Sequence, residues 1–241
     1  MFSIIITTFD RDQLVKQCIG KSLANMGVKR DEIELIWVDD GSTDNVREVM
    51  KEFNPDISIL KSKNEGLIKS YNQGFRLARG GWIVRLGSDI EMPEGWLLKI
   101  KEITEKIHTG VAGIMIRELE SFVYNKPEYI SEEKEIDGIK VLETKKIMGI
   151  YAFSREVLNK VGYLDEEFGY YGPVDREWAA RVQKAGFKSY YIKELKCRHL
   201  GVGKWDQETR GKKDAGLKYS WDNNLLEKKV TSDRIYYNPY I

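Results

Sequence analysis

The chain has 241 residues, of which 41% are hydrophobic and 32% are charged, and this balance excludes wholesale disorder. The formal net charge is +1, so the protein lacks the global basic field that would indicate nucleic-acid binding. The two cysteines, Cys18 and Cys197, supply neither a disulfide framework nor a CxxC metal pair. The opening MFSIIITTF is too short for a signal peptide, and no apolar run reaches the roughly 18 residues that span a bilayer. We therefore expect a cytoplasmic protein.

The first half of the chain alternates predicted strands with predicted helices. Apolar runs predict strands over 2–9, 33–38, 57–60, 82–86 and 111–116, and helical spacing predicts helices over 12–26, 45–53, 67–78 and 94–107. This alternation predicts an α/β, Rossmann-like fold with a mostly parallel central sheet flanked by helices. Ligands bind such sheets at the carboxyl ends of the strands, where the polar clusters TTFDR, VDDGSTD and LGSDIE all fall.

The pattern changes between residues 118 and 146, where the chain is charged and rich in tyrosine. A hairpin is predicted at Asp137–Gly138, and we expect this stretch to be an excursion from the sheet. Regular structure is predicted again at 148–153, with a helix over 174–185 and a strand over 187–192. The lysine-rich tail over 205–241 predicts a helix with an irregular end. His108, late in a surface helix, is expected to face solvent.

Two acidic clusters each allow a structural and a functional interpretation. Asp39 and Asp40 in VDDGSTD suit a turn that caps a helix, or a pocket in which a carboxylate accepts a hydrogen bond from a nucleotide base. Asp89 and Glu91 in LGSDIEMPEGW suit a surface turn, or a site for a divalent cation that bridges two phosphates.

Four further residues allow the same two interpretations. Asn72 and Arg79 suit the polar face of a helix or contacts with a diphosphate. Asp175, in the first turn of a predicted helix, suits an interaction with the helix dipole or the role of a general base open to a cleft. His199 precedes two glycines and suits a structural role or a contact with a metal or phosphate.

In this order, these segments resemble the family 2 glycosyltransferases of the GT-A fold over roughly Ile4–His199. VDDGSTD matches the commonest signature of that family, and TTFDR stands where TYNR is more usual. NEGLIKSYNQGFRLARGGWIVRLGSDIEMPEGW follows the stretch that leads into the family's metal motif, and YLDEEFGYYGPVDREWAARVQKAGF matches its acceptor-side region. The resemblance implies a nucleotide-binding half over 1–117, an acceptor-binding half over 118–200 and a C-terminal extension over 201–241.

The resemblance also implies an activity and a set of site residues. The activity is metal-dependent transfer of a sugar from a nucleotide-diphosphate sugar, with a UDP-sugar as the first choice, to an acceptor hydroxyl. The implied residues are Thr7, Phe9, Arg11, Asp39, Asp40, Asn72, Arg79 and Ser88 for the nucleotide, Asp89 and His199 for Mn²⁺ or Mg²⁺, Glu91 as a metal auxiliary, and Asp175 as the general base. With such a base, the reaction would invert the anomeric configuration.

The chain departs from the family pattern at two places, and these keep alternatives open. The family's DxD motif reads Gly87-Ser88-Asp89 here, and VDRE replaces the more frequent acidic pair before the base. A catalytically silent nucleotide-sugar or glycan binder, or a retaining GT-A transferase, is the alternative. A nucleotidyltransferase is disfavoured because TTFDRDQ has no glycine-rich loop, and a dinucleotide oxidoreductase because no GxGxxG follows a strand.

The acceptor is open to a glycan, a lipid-linked molecule or another hydroxyl compound. The loop GYYGP and the tail residues Trp205, Trp221, Tyr236 and Tyr237 suit packing, or stacking on a sugar ring or a base. The lysine-rich tail suits a solvated surface, an anionic membrane face or a nucleic acid.

Overall fold

A computed structural model describes residues 1–106, 110–117, 130–147, 149–170, 172–201 and 222–241. Their strands are β1 (Phe2–Thr8), β2 (Ile33–Asp39), β3 (Ile57–Leu60), β4 (Trp82–Gly87), β5 (Ile90–Glu91), β6 (Val111–Ile116), β7 (Ile130–Ile136), β8 (Ile139–Thr144), β9 (Ile150–Ser154) and β10 (Ser189–His199). Their α-helices are α1 (Asp12–Ala24), α2 (Val46–Glu52), α3 (Leu67–Leu77), α4 (Trp96–Lys106), α5 (Arg155–Val161), α6 (Val174–Lys184) and α7 (Asn223–Thr231).

One mixed sheet organises the described residues, in the order β3-β2-β1-β4-β9-β6-β10-β8-β7, with β5 paired to β10. Strands β3, β2, β1 and β4 are mutually parallel, and β6 and β10 are parallel to each other. Strand β9 runs antiparallel to both β4 and β6 and joins these two groups. The predicted α/β fold with a mostly parallel centre is confirmed.

The central strands are buried on both faces, which explains why their sequences are apolar runs without alternation. In β1, Ile4 and Ile6 belong to the hydrophobic cluster that α1, α2 and α4 cover. Ile5 between them belongs to the opposite cluster, with residues of α3, α5 and α6. Helix α3 approaches β1 closely because it carries Gly74, where a β-carbon would overlap the Ile5 side chain.

The charged stretch after β6 was expected to leave the sheet, and its described part does not. Strand β8 pairs with β10 and β7 pairs with β8, so residues 130–144 extend the central sheet to its far edge and do not leave it. The predicted hairpin turn is present, with Asp137 at φ 50° and Gly138 at φ 79°, as a two-residue hairpin turn requires. The solvent position expected for His108 and the roles expected for Trp205 and Trp221 lie outside the described residues.

The tail forms the predicted helix, α7, which packs against α6, and then an irregular end. The end is tied to the body because the Tyr163 N–H donates to Tyr237 O at 2.8 Å, and the Tyr237 N–H donates to Val161 O at 3.1 Å. Within the described residues, no helix combines the length and the apolar character that crossing a bilayer requires.

Candidate active site

Three side chains from different parts of the chain meet at the carboxyl edge of the sheet. Asp89 follows β4, and the short strand β5 after it pairs with the end of β10, which sets Ile90 opposite His199. As a result, His199 Nε2 lies 3.2 Å from Asp89 Oδ2, and Arg11 Nη1 lies 3.4 Å from the same oxygen. The predicted grouping of Asp89 with His199 is therefore present, and Arg11 joins it from the loop after β1.

The charge on Asp89 is set by its neighbours. Burial by itself raises the pKa of this carboxyl group, but the hydrogen bond and charge of His199, together with the charge of Arg11, lower the pKa to about 2. Asp89 is therefore a carboxylate at neutral pH, which is the form that binds a cation.

The donor set at Asp89 and His199 fits a divalent cation that is shared with a phosphate ligand. A carboxylate oxygen and an imidazole nitrogen are both ligands of first-row divalent metals. Nowhere in the described part of the chain do three or more His, Cys, Asp or Glu side chains form a group that can hold a metal. At a site with two protein ligands, phosphate oxygens and water are suitable ligands for the other coordination positions.

Position 87, where the family's first acid stands, is closely packed. A β-carbon on Gly87 would lie 3.0 Å from the Ile90 side chain and 3.2 Å from Asp89 Oδ1. A larger side chain at position 87 would therefore press on Ile90 and on the Asp89 carboxylate.

Glu91, expected as a metal auxiliary, has three hydrogen-bond donors of its own in the structure. Its buried carboxylate accepts hydrogen bonds from Gln17 at 2.9 Å, Lys21 at 3.2 Å and Arg198 at 3.3 Å. Two of these donors are on α1, so Glu91 ties that helix to β5 and its charge is already balanced by cations.

The two aspartates of VDDGSTD shape the loops that follow β2 and β3. The Asp40 carboxylate accepts from the N–H groups of Glu65 and Gly66 at 3.0 and 2.8 Å and from Lys61 Nζ at 2.9 Å. Asp39 accepts from Arg47 Nε at 2.7 Å. A base that binds Asp40 would have to use the acceptor capacity that these donors leave.

The remaining residues expected near the base lie around the end of β1. Ser88 is buried, and Phe9 is half-buried directly after the strand. Thr7 Oγ1 is buried, and no described residue makes a hydrogen bond of ordinary geometry to it, although the Tyr71 hydroxyl lies close by. A buried hydroxyl is costly to leave without a strong hydrogen bond, so Thr7 Oγ1 keeps the capacity for a further partner at the end of β1.

Two residues expected at the nucleotide have other partners in the structure. The buried amide of Asn72 donates to Leu164 O at 2.9 Å and to Glu166 Oε1 at 3.0 Å, so it anchors the loop after α5. Arg79 precedes β4 at the amino edge of the sheet, and its Nε donates to Glu34 Oε1 at 2.5 Å. Because the clustered site residues occupy the carboxyl edge, Arg79 does not take part in it.

Asp175 begins α6 with its carboxylate held between β4 and β9. Oδ2 accepts from Arg85 Nη1 at 3.1 Å, and Oδ1 accepts from the Tyr151 hydroxyl at 3.3 Å. The Asp175 side chain keeps 21% of its surface exposed, so a substrate hydroxyl can reach it. Burial and, to a smaller extent, the charge of Asp175 raise the pKa of Tyr151 well above its ordinary value. Tyr151 therefore keeps its proton and acts as a hydrogen-bond donor.

Tyr71 connects the two acidic centres. Burial raises the pKa of its phenol, Arg85 lowers it, and the charges of Asp89 and of Asp175 both raise it. The Tyr71 ring lies 4.6 Å from the Arg85 guanidinium, which pairs with Asp175, and the Tyr71 hydroxyl donates at 3.1 Å to the carbonyl of Leu86, near the end of β4. The fold thus brings the acid after β4 and the acid on α6 to one region.

The family model of glycosyl transferase family 2 matches residues 3–162, which is more than half of the chain. The chain belongs to this family of transferase enzymes. An uncharacterized glycosyltransferase of Mycoplasma pneumoniae is 32% identical over 110 residues, which cover 43% of this chain and 36% of the relative. Chondroitin synthase of Escherichia coli is 24% identical, with 95% of this chain and 38% of the relative covered. The family 2 chain therefore spans well under half the length of these curated relatives.

Solved structures of glycosyltransferases share the fold. The mannosyltransferase PcManGT of Pyrobaculum calidifontis, in complex with GDP-Man and Mn²⁺, matches with a TM-score of 0.67 at 18% identity, over 87% of this chain and 59% of that one. TarS residues 1–349 of S. aureus, in complex with UDP-GlcNAc, match with a TM-score of 0.65 at 14% identity, over 95% of this chain and 70% of that one. The GT-A fold of this family 2 member is confirmed.

Asp175 is held in this family 2 glycosyltransferase by two side chains that were not among the predicted site residues, Arg85 and Tyr151. A signal for Arg85 was present, because it is the one charge in the apolar strand WIVRLG. A buried charge needs a buried partner, and that requirement marks Arg85 as a residue with a specific contact. Nothing comparable marks Tyr151, since a tyrosine in an apolar strand is ordinary.

Proposed function

We propose that this chain transfers a sugar from a nucleotide-diphosphate sugar, most simply a UDP-sugar, to an acceptor hydroxyl with inversion at the anomeric carbon. The observation that carries the proposal is the pair of acidic centres at β4, with Asp89 directly after the strand and Asp175 paired with Arg85 inside it. Asp89 lies among His199 and Arg11, where a diphosphate finds positive charge, and Asp175 is held separately with part of its carboxylate exposed. The complexes of two fold relatives with GDP-Man and Mn²⁺ and with UDP-GlcNAc support a donor of this class.

The donor side of the site carries the leaving group. Mn²⁺ or Mg²⁺ held by Asp89 and His199 would supply a positive charge that stabilises the departing diphosphate. Arg11 lies beside the same carboxylate and adds a fixed cation to that side. Thr7, Phe9 and Ser88 at the ends of β1 and β4 are proposed to line the pocket of the nucleotide, with Asp40 below them.

The acceptor side carries the base. Asp175 takes the proton of the acceptor hydroxyl while the acceptor oxygen forms a bond to the anomeric carbon. The bond between that carbon and the diphosphate oxygen breaks at the same time, and its electron pair leaves with the nucleoside diphosphate. Arg85 and Tyr151 hold the carboxylate during this step.

The acceptor is proposed to be a hydroxyl of a glycan, a lipid-linked molecule or another compound. The proposed location of the protein is the cytoplasm. The division into a nucleotide-binding half over 1–117 and an acceptor-binding half over 118–200 is proposed on the same basis.

The test is release of nucleoside diphosphate from a panel of UDP-, GDP- and dTDP-sugars, with and without Mn²⁺. Wild-type protein should hydrolyse one donor slowly and in a metal-dependent way. Asp175→Asn should lower kcat by about 10²- to 10⁴-fold, as loss of a general base does, with nucleotide affinity unchanged. The exposed Asp31→Asn is the matched control and should behave as wild type.

Two other results would redirect the proposal. Normal turnover by Asp175→Asn would exclude Asp175 as the base and favour a retaining transferase. Nucleotide binding by the wild-type chain without turnover of any donor would favour the silent binder that Gly87 suggests.

A further inference from the structure

Strand β4 carries an arginine inside the fold. Arg85 lies in register with Ile5 on β1 and with Tyr151 on β9, both of which are fully buried. Its own side chain is only 9% exposed. Burying a guanidinium costs several kcal/mol unless it is paired, so this position needs a compensating contact that an apolar residue would not need.

The contacts of Arg85 lead to Asp175. Nη1 donates to Gly149 O at 2.8 Å and to Asp175 Oδ2 at 3.1 Å. The guanidinium also lies over two rings, 4.6 Å from the centre of Tyr71 and 5.6 Å from that of Tyr151. The planar cation is thus fixed in orientation as well as in position, because stacking and hydrogen bonding constrain it in different directions.

The second support of Asp175 is equally rigid. The Tyr151 hydroxyl donates to Oδ1, and the Tyr151 ring stacks on Trp178 of α6 with centroids 5.2 Å apart and planes at 18°. The two carboxylate oxygens of Asp175 therefore have separate fixed donors from two neighbouring strands. These two contacts together restrict the orientation of the exposed part of the carboxylate.

We propose that Arg85 is the positioning residue of the base: it acts on sugar transfer through Asp175 and makes no contact with substrate. This inference rests on the proposed function, in which Asp175 takes the acceptor proton. A base must lie within about 3 Å of the proton that it removes, so a carboxylate held in place reaches the reactive geometry more often than a freely rotating one. Burying Arg85 in β4 is energetically unfavourable, and this position serves to orient the Asp175 carboxylate.

The test is a double-mutant cycle of Arg85→Met and Asp175→Asn on donor hydrolysis, in which water takes the place of the acceptor. The probe is the donor sugar that the panel identifies. Arg85→Met should lower kcat by about 10²-fold with the donor KM little changed, as a misplacement of about 1 Å does. In the Asp175→Asn background, Arg85→Met should lower kcat no further, because its effect passes through the carboxylate.

A matched control separates this effect from the loss of any arginine–aspartate pair. Arg30 donates to Asp56 at 2.9 Å in the loops at the amino edge of the sheet. Arg30→Met should leave kcat and KM at the wild-type values. Thermal unfolding and titration with UDP establish that each variant is folded. If Arg85→Met does not fold, Arg85→Lys replaces it in the cycle, because lysine keeps the buried charge and loses the planar fork.

The outcomes are distinct. Loss of kcat in Arg85→Met that vanishes in the Asp175→Asn background supports the inference. Wild-type kcat in Arg85→Met, or effects of the two substitutions that multiply, overturns it and leaves the proposed function intact. Normal turnover by Asp175→Asn alone overturns both the assignment of the base and the role of Arg85.

Discussion

Gly201 packs directly against the carboxylate of Asp89. A β-carbon at position 201 would overlap Oδ2, the oxygen that also faces His199 and Arg11. The residue two positions after His199 therefore has to be a glycine for the Asp89 carboxylate to keep its place. This contact links the end of β10 to the acid after β4 at the point where a cation would bind.

Gly201→Ala is expected to weaken Mn²⁺ binding although no metal ligand is changed. The added methyl group overlaps the Asp89 carboxylate and forces it to move. Changing a group that positions a metal ligand typically lowers metal affinity by about 10- to 100-fold. Titration of Mn²⁺ by electron paramagnetic resonance in the presence of UDP measures the effect. Gly81→Ala is the control, because a β-carbon there meets nothing within 4 Å. Equal affinities in both variants would contradict the prediction.

Asp89→Asn is expected to abolish metal-dependent turnover and to lower Mn²⁺ affinity more than Gly201→Ala does. The amide removes the negative charge that holds the cation. Glu91→Gln should retain wild-type Mn²⁺ affinity, since the Glu91 carboxylate is bound by Gln17, Lys21 and Arg198. The same titration compares the two variants. A similar loss in both would return Glu91 to the metal site.

Removal of metal from wild-type protein with EDTA should stop donor hydrolysis, and added Mn²⁺ should restore it.

Arg234→Met is expected to destabilise the whole domain, although residue 234 lies far beyond the segment that matches the family model. Arg234 pairs with Asp165 and, at 2.9 Å, with Glu177, and both carboxylates are buried. Breaking such pairs costs about 3–5 kcal/mol when burial is complete, and about 1–3 kcal/mol here because the Arg234 side chain is 27% exposed. Urea unfolding measures the change. Lys51→Met, which loses an exposed pair with Glu48, should stay within about 0.5 kcal/mol of wild type.

Asp165 is expected to make the stability of the protein fall at acidic pH. Burial raises the pKa of this carboxyl group, but hydrogen bonds from Lys229 and Arg234 outweigh burial and hold the pKa below its ordinary value of 3.8. A lowered pKa in the folded state means that the unfolded chain binds the proton first. The stabilisation is therefore complete above about pH 4 and is lost as pH falls through the folded pKa.

The check is the free energy of unfolding in urea between about pH 5 and pH 3, compared for wild type and Asp165→Asn. The variant is less stable at neutral pH because Lys229 and Arg234 each lose one carboxylate partner, yet its stability should depend less steeply on pH in this window. Equal slopes in the two proteins would show that the charge of Asp165 contributes nothing to acid stability.

The sequence predicted the elements well where burial alone decides them. The strands over 57–60 and 111–116 agree with the structure at both ends, because a buried strand in a parallel sheet is an apolar run bounded by polar residues. The hairpin at Asp137–Gly138 was also predictable, since this dipeptide suits a turn with positive φ at both positions.

The sequence was a poor guide wherever a polar side chain had several available partners. Asn72 and Arg79 interrupt the apolar pattern of α3 and its C-terminal end, but the pattern does not say whether the partner is a ligand, a loop or another side chain. Glu91 stands two residues from Asp89, yet the pairing of β5 with β10 places it among cations from α1 and β10. Residues 130–144 looked like an excursion because edge strands carry charged residues that break the apolar pattern.

The sequence by itself determined the α/β fold, the family resemblance and the edge of the sheet at which the polar residues gather, because strand periodicity and turn chemistry are local properties. Only the tertiary structure decided which partners each acidic side chain has. Asp89 meets His199 because β5 pairs with β10, and Asp175 meets Arg85 because α6 packs over β4 and β9. Such pairings join residues about a hundred positions apart, and their energies depend on burial and distance, which no short stretch of sequence encodes.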